Sequence, residues 1–143
     1  MLMGEYRHSV DSKGRVTVPA DLRYSLGTSC VLCKGLDGCL YLYGKEEWEK
    51  FEEELRKLPK SKKDVRILVR SFLSGASRVD PDSQGRILLG DALREFADIH
   101  GEAVLVGMID RVEIWGTGRY ESAQTGADMD EVAEKLEEYG INL

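Results

Sequence analysis

Length, composition and charge exclude several classes of protein at the outset. The chain has 143 residues, of which 42% are hydrophobic, and its formal net charge is −6 at pH 7. That length is sufficient for one sizeable core or two small ones, and interleaved elements would favour one joint core. The chain has no long apolar run and its first strand begins almost at once, so we expect a cytosolic protein without a membrane span or a secretory signal. The acidic balance disfavours a general nucleic-acid-binding surface.

The most informative feature of the chain is a short segment that occurs twice. Residues 11–15 read DSKGR, and residues 82–86 read DSQGR. Matches in the same register continue on both sides of this segment, with one inserted residue before the later ones. The matched pairs include Gly4 with Gly75, Arg7 with Arg78, Arg23 with Arg94, and Gly44 with Gly116. We interpret the chain as an internal duplication.

Each copy of the segment has the composition of a tight turn next to a strand. An Asp at the first position and a Gly at the fourth are typical of a type I turn that continues through a left-handed residue. Asp11 and Gly14 occupy these positions in the first copy, and Asp82 and Gly85 occupy them in the second. Apolar residues alternate with polar ones on either side, which predicts a two-stranded hairpin around each turn.

Basic residues recur on these predicted hairpins. Strand alternation would place Arg7 and Arg15 on one face of the first ribbon, with Lys13 at its tip, and Arg78 and Arg86 would repeat this arrangement. We interpret the five cations as a candidate DNA-binding surface, in which Arg15 is the first candidate for a guanine contact. Arg7 and Lys13 would hold phosphate or assist base reading. The structural alternative is that each Asp pairs with the Arg four residues on and simply pins its turn.

Short helices are predicted directly after both turns. Pro19 opens the first helix, which ends at Gly27, and residues 91–99 form the second, which ends at Gly101. A longer helix over residues 45–58 has an apolar stripe on one side and glutamates on the other.

A connecting helix and a C-terminal helix complete the prediction. Ser61 and Asp64 resemble a capping box that opens a helix ending near Gly75, and residues 119–127 are expected to be irregular. Asp128 would cap a last helix with one apolar side. Such a helix is marginal alone, so it docks on its own core, docks on a neighbour, or frays.

Three cysteines raise the question of a metal site. Cys30, Cys33 and Cys39 are closely spaced, but no fourth Cys or nearby His completes a zinc set. We therefore predict neither a metal nor a cofactor. The cysteines would be reduced, small apolar residues in or near a buried strand.

The chain also resembles a known protein family. The segments DSKGRVTVPADLR and DSQGRILLGDALR are similar to the Asp-x-x-x-Arg motifs of the MraZ family, the two-copy relative of the SpoVT-AbrB family. The GEY start, the CLYLY strand, the LVRSFLSGAS stretch, and the VLVG and VEIW strands match as well. The resemblance covers nearly the whole chain up to about Tyr120. Gln84 stands where the first copy has Lys13, so the second loop is less basic.

This resemblance implies both a fold and a function. The implied fold is α+β, a pseudo-two-fold double-split β-barrel made of two hairpin-plus-helix repeats with connecting helices. The implied units are a first repeat over 1–58, a helical connector over 59–74, a second repeat over 75–121 and a tail with a helix over 122–143. The implied function is a cytoplasmic, nucleoid-associated transcriptional regulator. It would bind direct repeats upstream of its own cell-division and cell-wall gene cluster, as a closed ring of several subunits.

Two other functions remain open from the residues alone. The acidic charge favours an oligomeric scaffold that binds protein rather than DNA, with the glutamate-rich helix as its contact surface. An enzyme is disfavoured, because the chain has no Ser-His-Asp set, no glycine-rich phosphate loop and no HExxH motif. We predict a protein that is not an enzyme, with double-stranded DNA and copies of itself as partners, and with no membrane or small-molecule substrate.

Overall fold

The computed structural model describes residues 1–141, which contain eight strands and six α-helices. The strands are β1 (Glu5–Ser9), β2 (Arg15–Thr17), β3 (Cys30–Lys34), β4 (Leu40–Gly44), β5 (Ser77–Arg78), β6 (Arg86–Leu88), β7 (Glu102–Gly107) and β8 (Val112–Gly116). The helices are α1 (Ala20–Leu26), α2 (Lys45–Arg56), α3 (Lys63–Ser74), α4 (Asp91–Ala97), α5 (Thr117–Gln124) and α6 (Met129–Lys135), and a 3-10 helix (Leu136–Tyr139) follows α6.

The strands form two antiparallel sheets, which confirms the α+β class. The larger sheet has six strands in the order β1-β7-β8-β4-β3-β5, and β2 and β6 form a separate two-stranded ribbon. In the duplication β1, β7 and β8 are equivalent to β5, β3 and β4, respectively. Exchanging every strand of the larger sheet with its equivalent gives the same order of strands, read from the opposite edge. The duplication seen in the sequence is therefore also a symmetry of the fold.

The strands on either side of each turn pair with strands of the other repeat, so the predicted two-stranded hairpins are wrong. β1 pairs with β7 and β5 pairs with β3, while β2 pairs with β6. Around the first turn only an isolated bridge joins Val10 to Val16. The physical reason is burial, because pairing β2 with β6 places Val16 against Ile87 and leaves each of them 1% exposed.

The register of the strands locates an approximate two-fold axis. Val16 and Ile87 are equivalent in the duplication, and they lie opposite each other in the ribbon. Tyr41 and Glu113 are also equivalent, and they lie opposite each other in the larger sheet. An axis that passes through both pairs exchanges the two repeats.

The main core belongs to both repeats, as expected for a joint core. Several of its buried residues come in equivalent pairs from the two halves, since Leu22 and Leu42 of the first repeat join Leu93 and Ile114 of the second. Each half alone would leave these side chains in water. Burial of a leucine or isoleucine contributes about 1.5–3 kcal/mol, so folding of one half is strongly coupled to folding of the other.

A second cluster fixes the connecting helices on the outer side of the larger sheet. Phe51 of α2 stacks on Tyr43 with the ring centroids 5.0 Å apart, and Phe72 of α3 stacks on Tyr41 at 6.2 Å. The predicted apolar stripe of α2 is confirmed, because its members pack into this cluster.

The start of α3 differs from the prediction. The residue before it, Lys62, makes no side-chain cap, and the expected capping box of Ser61 is not formed. Instead Arg66 donates from Nη1 to the carbonyls of Lys60 and Ser61, each at 3.0 Å. A guanidinium with several donors therefore ties the linker to the first turn of α3.

Two further helix boundaries also need correction. α4 ends at Ala97 because Asp98 adopts a left-handed conformation with φ of 55°, so the helix does not reach Gly101. Residues expected to be irregular form α5 instead. Arg119 of α5 donates to the carbonyls of Gly38 and Phe96 at 3.1 and 2.8 Å, and these tertiary contacts outweigh weak local propensity.

The C-terminal helix begins where the sequence predicts. Asp128 accepts a hydrogen bond from the backbone N–H of Asp130 at 3.0 Å, which is the geometry of an N-cap. No residue of α6 or of the following 3-10 helix is buried. None of the helices in residues 1–141 is both long and apolar enough to cross a membrane.

Candidate nucleic-acid interface

The β2–β6 ribbon has one partly exposed face that carries two arginines. Arg15 lies opposite Leu88 and Thr17 lies opposite Arg86, so strand alternation places all four side chains on the same face. Diagonal neighbours across an antiparallel pair are roughly 7–8 Å apart, so Arg15 and Arg86 are diagonal neighbours on this face. We call it the ribbon face.

The first turn holds Arg15 through a network centred on Asp11. The carboxylate of Asp11 accepts hydrogen bonds from the backbone N–H groups of Lys13 and Arg15 at 3.0 and 2.9 Å. Its second oxygen accepts from Nε of Arg15 at 2.8 Å. The N–H of Gly14 closes the turn by donating to the carbonyl of Asp11 at 2.9 Å. One aspartate therefore fixes both the turn and the side chain that follows it.

The second turn repeats this network almost atom for atom. Asp82 accepts from the backbone N–H groups of Gln84 and Arg86, each at 2.9 Å, and from Nε of Arg86 at 2.9 Å. In both turns the backbone N–H of the arginine is the main cause that lowers the pKa of the aspartate below its usual range. Both carboxylates are therefore ionised at neutral pH.

The ion pairs use only one edge of each guanidinium. Asp11 binds Nε of Arg15 and Asp82 binds Nε of Arg86, and residues 1–141 provide no hydrogen-bond or ion-pair partner for the Nη atoms of either arginine. Each arginine is thus oriented by its aspartate while a fork of two nitrogens stays available. The structural alternative and the binding hypothesis are therefore compatible, because each arginine can pin its turn through Nε and bind a partner through its Nη atoms.

Two further arginines support the turns, and sequence reasoning gave them no role. Arg23 donates from Nε to the carbonyl of Val18 at 2.8 Å, and the equivalent Arg94 donates to the carbonyl of Leu89 at 2.9 Å. Arg94 also forms an ion pair with Asp91. Arg23 and Arg94 match each other in the duplication, and this match was the sequence signal that could have indicated a shared role. It does not show which atoms the two side chains contact.

Each of these supporting arginines lies against the turn of the opposite repeat. A Cβ added at Gly14 would be 2.7 Å from Nε of Arg94 and 2.7 Å from the carbonyl oxygen of Leu89. A Cβ added at Gly85 would overlap the guanidinium of Arg23. Glycine is required at both places, because each also has a positive φ, 85° and 77°. The two turns and the two helices therefore form one interlocked unit.

The other predicted cations lie at different places. Lys13 is exposed at the tip of the first turn. Arg7 lies on β1 in the larger sheet, so it does not share a ribbon with Arg15 as expected. It faces three carboxylates, at 3.8 Å from Glu5, 4.0 Å from Glu102 and 3.5 Å from Glu121.

Arg78 lies on β5, at one edge of the larger sheet. Its side chain is 71% exposed and lies 3.5 Å from Asp80. Like Arg7, it lies outside the ribbon of β2 and β6.

The cysteines are buried and separated between the two clusters. Cys30 lies in the main core, whereas Cys33 and Cys39 lie in the outer cluster with the aromatic residues. Burial raises the pKa of Cys30 to about 11 and the pKa values of Cys33 and Cys39 to about 12. Within residues 1–141, no three His, Cys, Asp or Glu side chains are grouped so that they could hold a metal ion.

Comparison with known proteins places the two turns in two related units. The profile of the family described as "MraZ protein, putative antitoxin-like" matches residues 1–71 and matches again over residues 72–138. The chain belongs to the MraZ family. Each matched unit contains one turn, so the duplication read from the sequence is that of the MraZ family.

Curated relatives match along their whole length. A protein of Caldanaerobacter subterraneus subsp. tengcongensis is 47% identical over 143 residues, which cover 99% of this chain and 100% of the relative. A protein of Pelotomaculum thermopropionicum is 45% identical over 145 aligned positions, which cover 100% of both chains. A protein of Clostridium tetani is 45% identical over 142 residues, which cover 99% of this chain and 100% of the relative. All three are named "Transcriptional regulator MraZ".

Proposed function

We propose that this member of the MraZ family is a transcriptional regulator that reads double-stranded DNA with its ribbon face. The single observation that carries the proposal is the pair of aspartate-oriented arginines, Arg15 and Arg86, on one partly exposed face of a two-stranded ribbon. The major groove of B-DNA admits such a ribbon. The names of the relatives give independent support.

Arg15 and Arg86 are the residues we assign to base recognition. An arginine held at Nε can still offer its two Nη atoms to O6 and N7 of guanine, and a bidentate contact of this kind contributes about 1–3 kcal/mol of discrimination. The aspartates would keep both guanidinium groups in the reading orientation before DNA arrives, which lowers the entropy cost of binding.

The other cations are assigned to the phosphate backbone. Lys13 is exposed at a turn tip beside Arg15, so it is the leading candidate for a phosphate contact. Arg78 would be a second, peripheral contact. Arg7 would contribute least, because three carboxylates within 4.0 Å already offset its charge.

Self-association into a closed ring forms part of the proposal. The net charge of −6 means that faces other than the ribbon face repel DNA, so one subunit should bind weakly and with strong salt dependence. A ring that repeats the ribbon face would raise affinity through multivalency. Direct repeats spaced by about one helical turn, near 10 bp, would present one site to each subunit.

We further infer the cellular context and the closure of the fold. The DNA target would be direct repeats upstream of the protein's own cell-division and cell-wall gene cluster, and the protein would be cytoplasmic and nucleoid-associated, without enzymatic activity. The six-stranded sheet and the ribbon would close into a double-split β-barrel. Repeats over 1–58 and 75–121, the connector 59–74 and the tail 122–143 would be its units.

Fluorescence anisotropy with the duplex from upstream of the protein's own gene tests this proposal. Wild type, Arg15→Ala and Lys50→Ala would be titrated against that duplex and a scrambled one, at low and moderate salt. Lys50→Ala is the matched control, because it removes one positive charge from an exposed side chain of α2, an element that contributes no strand to the ribbon. We expect discrimination by wild type and Lys50→Ala, and its loss in Arg15→Ala.

The opposite results are equally informative. In one such result wild type binds both duplexes with equal affinity at low salt and loses this binding at moderate salt, and in the other it does not bind at all. Either result would favour the scaffold function and leave the arginines as turn-pinning residues. Loss of assembly in Arg15→Ala, measured by sedimentation, would show that this residue maintains structure rather than reads DNA.

A further inference from the structure

The C-terminal segment, residues 128–141, is amphipathic and uncovered. Met129, Val132 and Leu136 follow helical spacing on one side, and they are 60%, 38% and 38% exposed. A helix as short as α6 is marginal in water unless its apolar side is packed. This side therefore has the properties of a surface that binds a partner.

A groove between α2 and α3 is the matching feature elsewhere in the chain. It has a volume of about 200 Å³, and Leu55, Val69 and Leu73 supply its apolar lining. Leu73 is 45% exposed although most apolar residues of this region are packed in the outer cluster. Arg56 and Lys60 line the groove together with the acidic Glu52.

The two surfaces carry opposite charge. Residues 128–141 contain six carboxylates and one lysine, a net charge of −5. Residues 45–74, which form α2, the linker and α3, contain nine lysines or arginines and seven acidic residues, a net charge of +2 that is concentrated on the linker and α3. Arg66 and Arg70 lie on α3 three residues before Val69 and Leu73, respectively, so they flank the groove lining. Charge of this distribution steers an acidic helix to the basic groove and disfavours groove-to-groove contact.

We propose that residues 128–141 of one copy dock in the α2–α3 groove of a second copy. The side formed by Met129, Val132 and Leu136 would cover the apolar lining, as an amphipathic helix does in a groove. Asp128 and Glu137, which are adjacent in the chain to Met129 and Leu136, would meet the basic rim. Within one chain both surfaces stand uncovered, which is why the occupant is a second copy.

The proposed contact joins two different surfaces, so it is heterologous. Each copy offers one tail and one groove, and a contact of this type continues from copy to copy until it closes into a ring or extends as a filament. The inference rests on the self-association included in the proposed function, and it names the surfaces that would form the interface. It does not depend on DNA binding by the ribbon face.

Sedimentation velocity of full-length variants tests the contact. Leu136→Asp would disable the tail, and Leu73→Asp would disable the groove. Ile67→Asp is the matched control, because this residue is 51% exposed on α3 but does not line the groove. We expect wild-type assembly in Ile67→Asp and at least a tenfold weaker self-association in the other two variants. An equimolar mixture of those two should form a one-to-one pair, because each retains the surface that the other lacks.

Charge exchange provides a second test in case Leu73→Asp does not fold. Arg70→Glu and Glu137→Lys should each weaken self-association about tenfold alone. Their mixture should assemble like wild type, since one type of contact pairs two changed residues and the other pairs two unchanged ones. Unaltered assembly in Leu136→Asp, or folded variants that do not restore each other on mixing, would overturn the proposal.

The two proposals fail in different experiments. A wild-type protein that sediments as a monomer would overturn both the ring and this interface. Intact assembly without DNA discrimination would overturn the function of the ribbon face alone. A Leu136→Asp variant that no longer assembles but still binds a single-site duplex as wild type does would support both.

Discussion

The two turns have the same geometry but different charge. The shared geometry orients an arginine in each turn, whereas the charge that would attract DNA differs between the turns. Asp11 and Asp82 hold their arginines at 2.8 and 2.9 Å through the same set of hydrogen bonds. The tips differ, since Lys13 in the first turn corresponds to Gln84 in the second. Residues 1–71 have a net charge of +3, whereas residues 72–143 have −9. The duplication thus preserves the device that aims an arginine, while the surrounding charge has diverged.

The supports beneath the two turns also differ in rigidity. Gly14 lies against a backbone carbonyl, that of Leu89, as well as the side chain of Arg94. The three atoms nearest to a Cβ at Gly85 all belong to the flexible side chain of Arg23. The first turn is therefore more tightly confined than the second, and it is also the more basic one.

The largest expected effect comes from removing the two ribbon arginines in turn. Arg15→Ala and Arg86→Ala should each reduce affinity for the specific duplex about 5–150-fold, which corresponds to about 1–3 kcal/mol per bidentate contact. The double variant should bind specific and scrambled duplexes equally. Anisotropy titrations at one salt concentration measure both. An Arg86→Ala variant with wild-type affinity would break the equivalence and make the second turn purely structural.

Alanine at the two turn glycines compares the two supports. Both substitutions place a side chain at positive φ, which costs about 1–3 kcal/mol. Gly14→Ala should be the more destabilising, because the carbonyl of Leu89 cannot move aside as easily as the side chain of Arg23. Urea unfolding of the two variants and wild type measures the difference. Equal losses of unfolding free energy would show that the two supports are equally rigid.

Acid should weaken both turns together. The pKa values of Asp11 and Asp82 lie below the ordinary 3.8, so their contribution to stability is complete above about pH 4 and is lost as the pH falls through the lowered values. The free energy of unfolding of wild type should therefore fall below about pH 4. Asp11→Asn with Asp82→Asn should flatten that part of the curve, as measured by urea unfolding between about pH 6 and pH 3. An unchanged curve would mean that neither carboxylate stabilises its turn.

The smallest effect is expected from exchanging the tip residues. Lys13→Gln should lower DNA affinity a few-fold and reduce the slope of log affinity against log salt by about 0.9, the share of one phosphate contact. Gln84→Lys should do the reverse, without changing the preferred sequence. Anisotropy over a series of salt concentrations measures both slopes. A change in sequence preference would place these tips in the groove rather than on the backbone.

Locally encoded features were predictable from the sequence. The turns follow from Asp and Gly at fixed positions, and α1 follows from Pro19 and Gly27, because each depends on the φ preferences of a few residues. The stripe of α2 follows from its helical period. The partners of the strands were not predictable, since Val10 and Val16 alternate in the same way whichever strand lies beside them, and only burial in the joint core decides between partners.

The candidate site was predictable in its centre but not in its surroundings. The repeated motif identified Asp11 and Arg15 and their second-copy equivalents, because the side chains concerned are neighbours in the chain. Arg23 and Arg94 acquire their positions from a contact with the opposite repeat, which no local pattern encodes. Arg7 was expected beside Arg15 only because a hairpin was expected, and the exchange of strands places it among carboxylates instead.

The exchange of strands also determines when the protein can fold during its synthesis. Glu5 of β1 lies opposite Val106 of β7, so the first strand to leave the ribosome must wait for about a hundred further residues. Contacts so distant in the chain slow folding, because the loop must close before the pairing stabilises it. A product that ends after the first repeat would expose unpaired strand edges, and these are sites for aggregation and proteolysis. Translation must therefore pass β6 before the ribbon can pair, and it must pass β7 and β8 before the joint core beneath the ribbon can close.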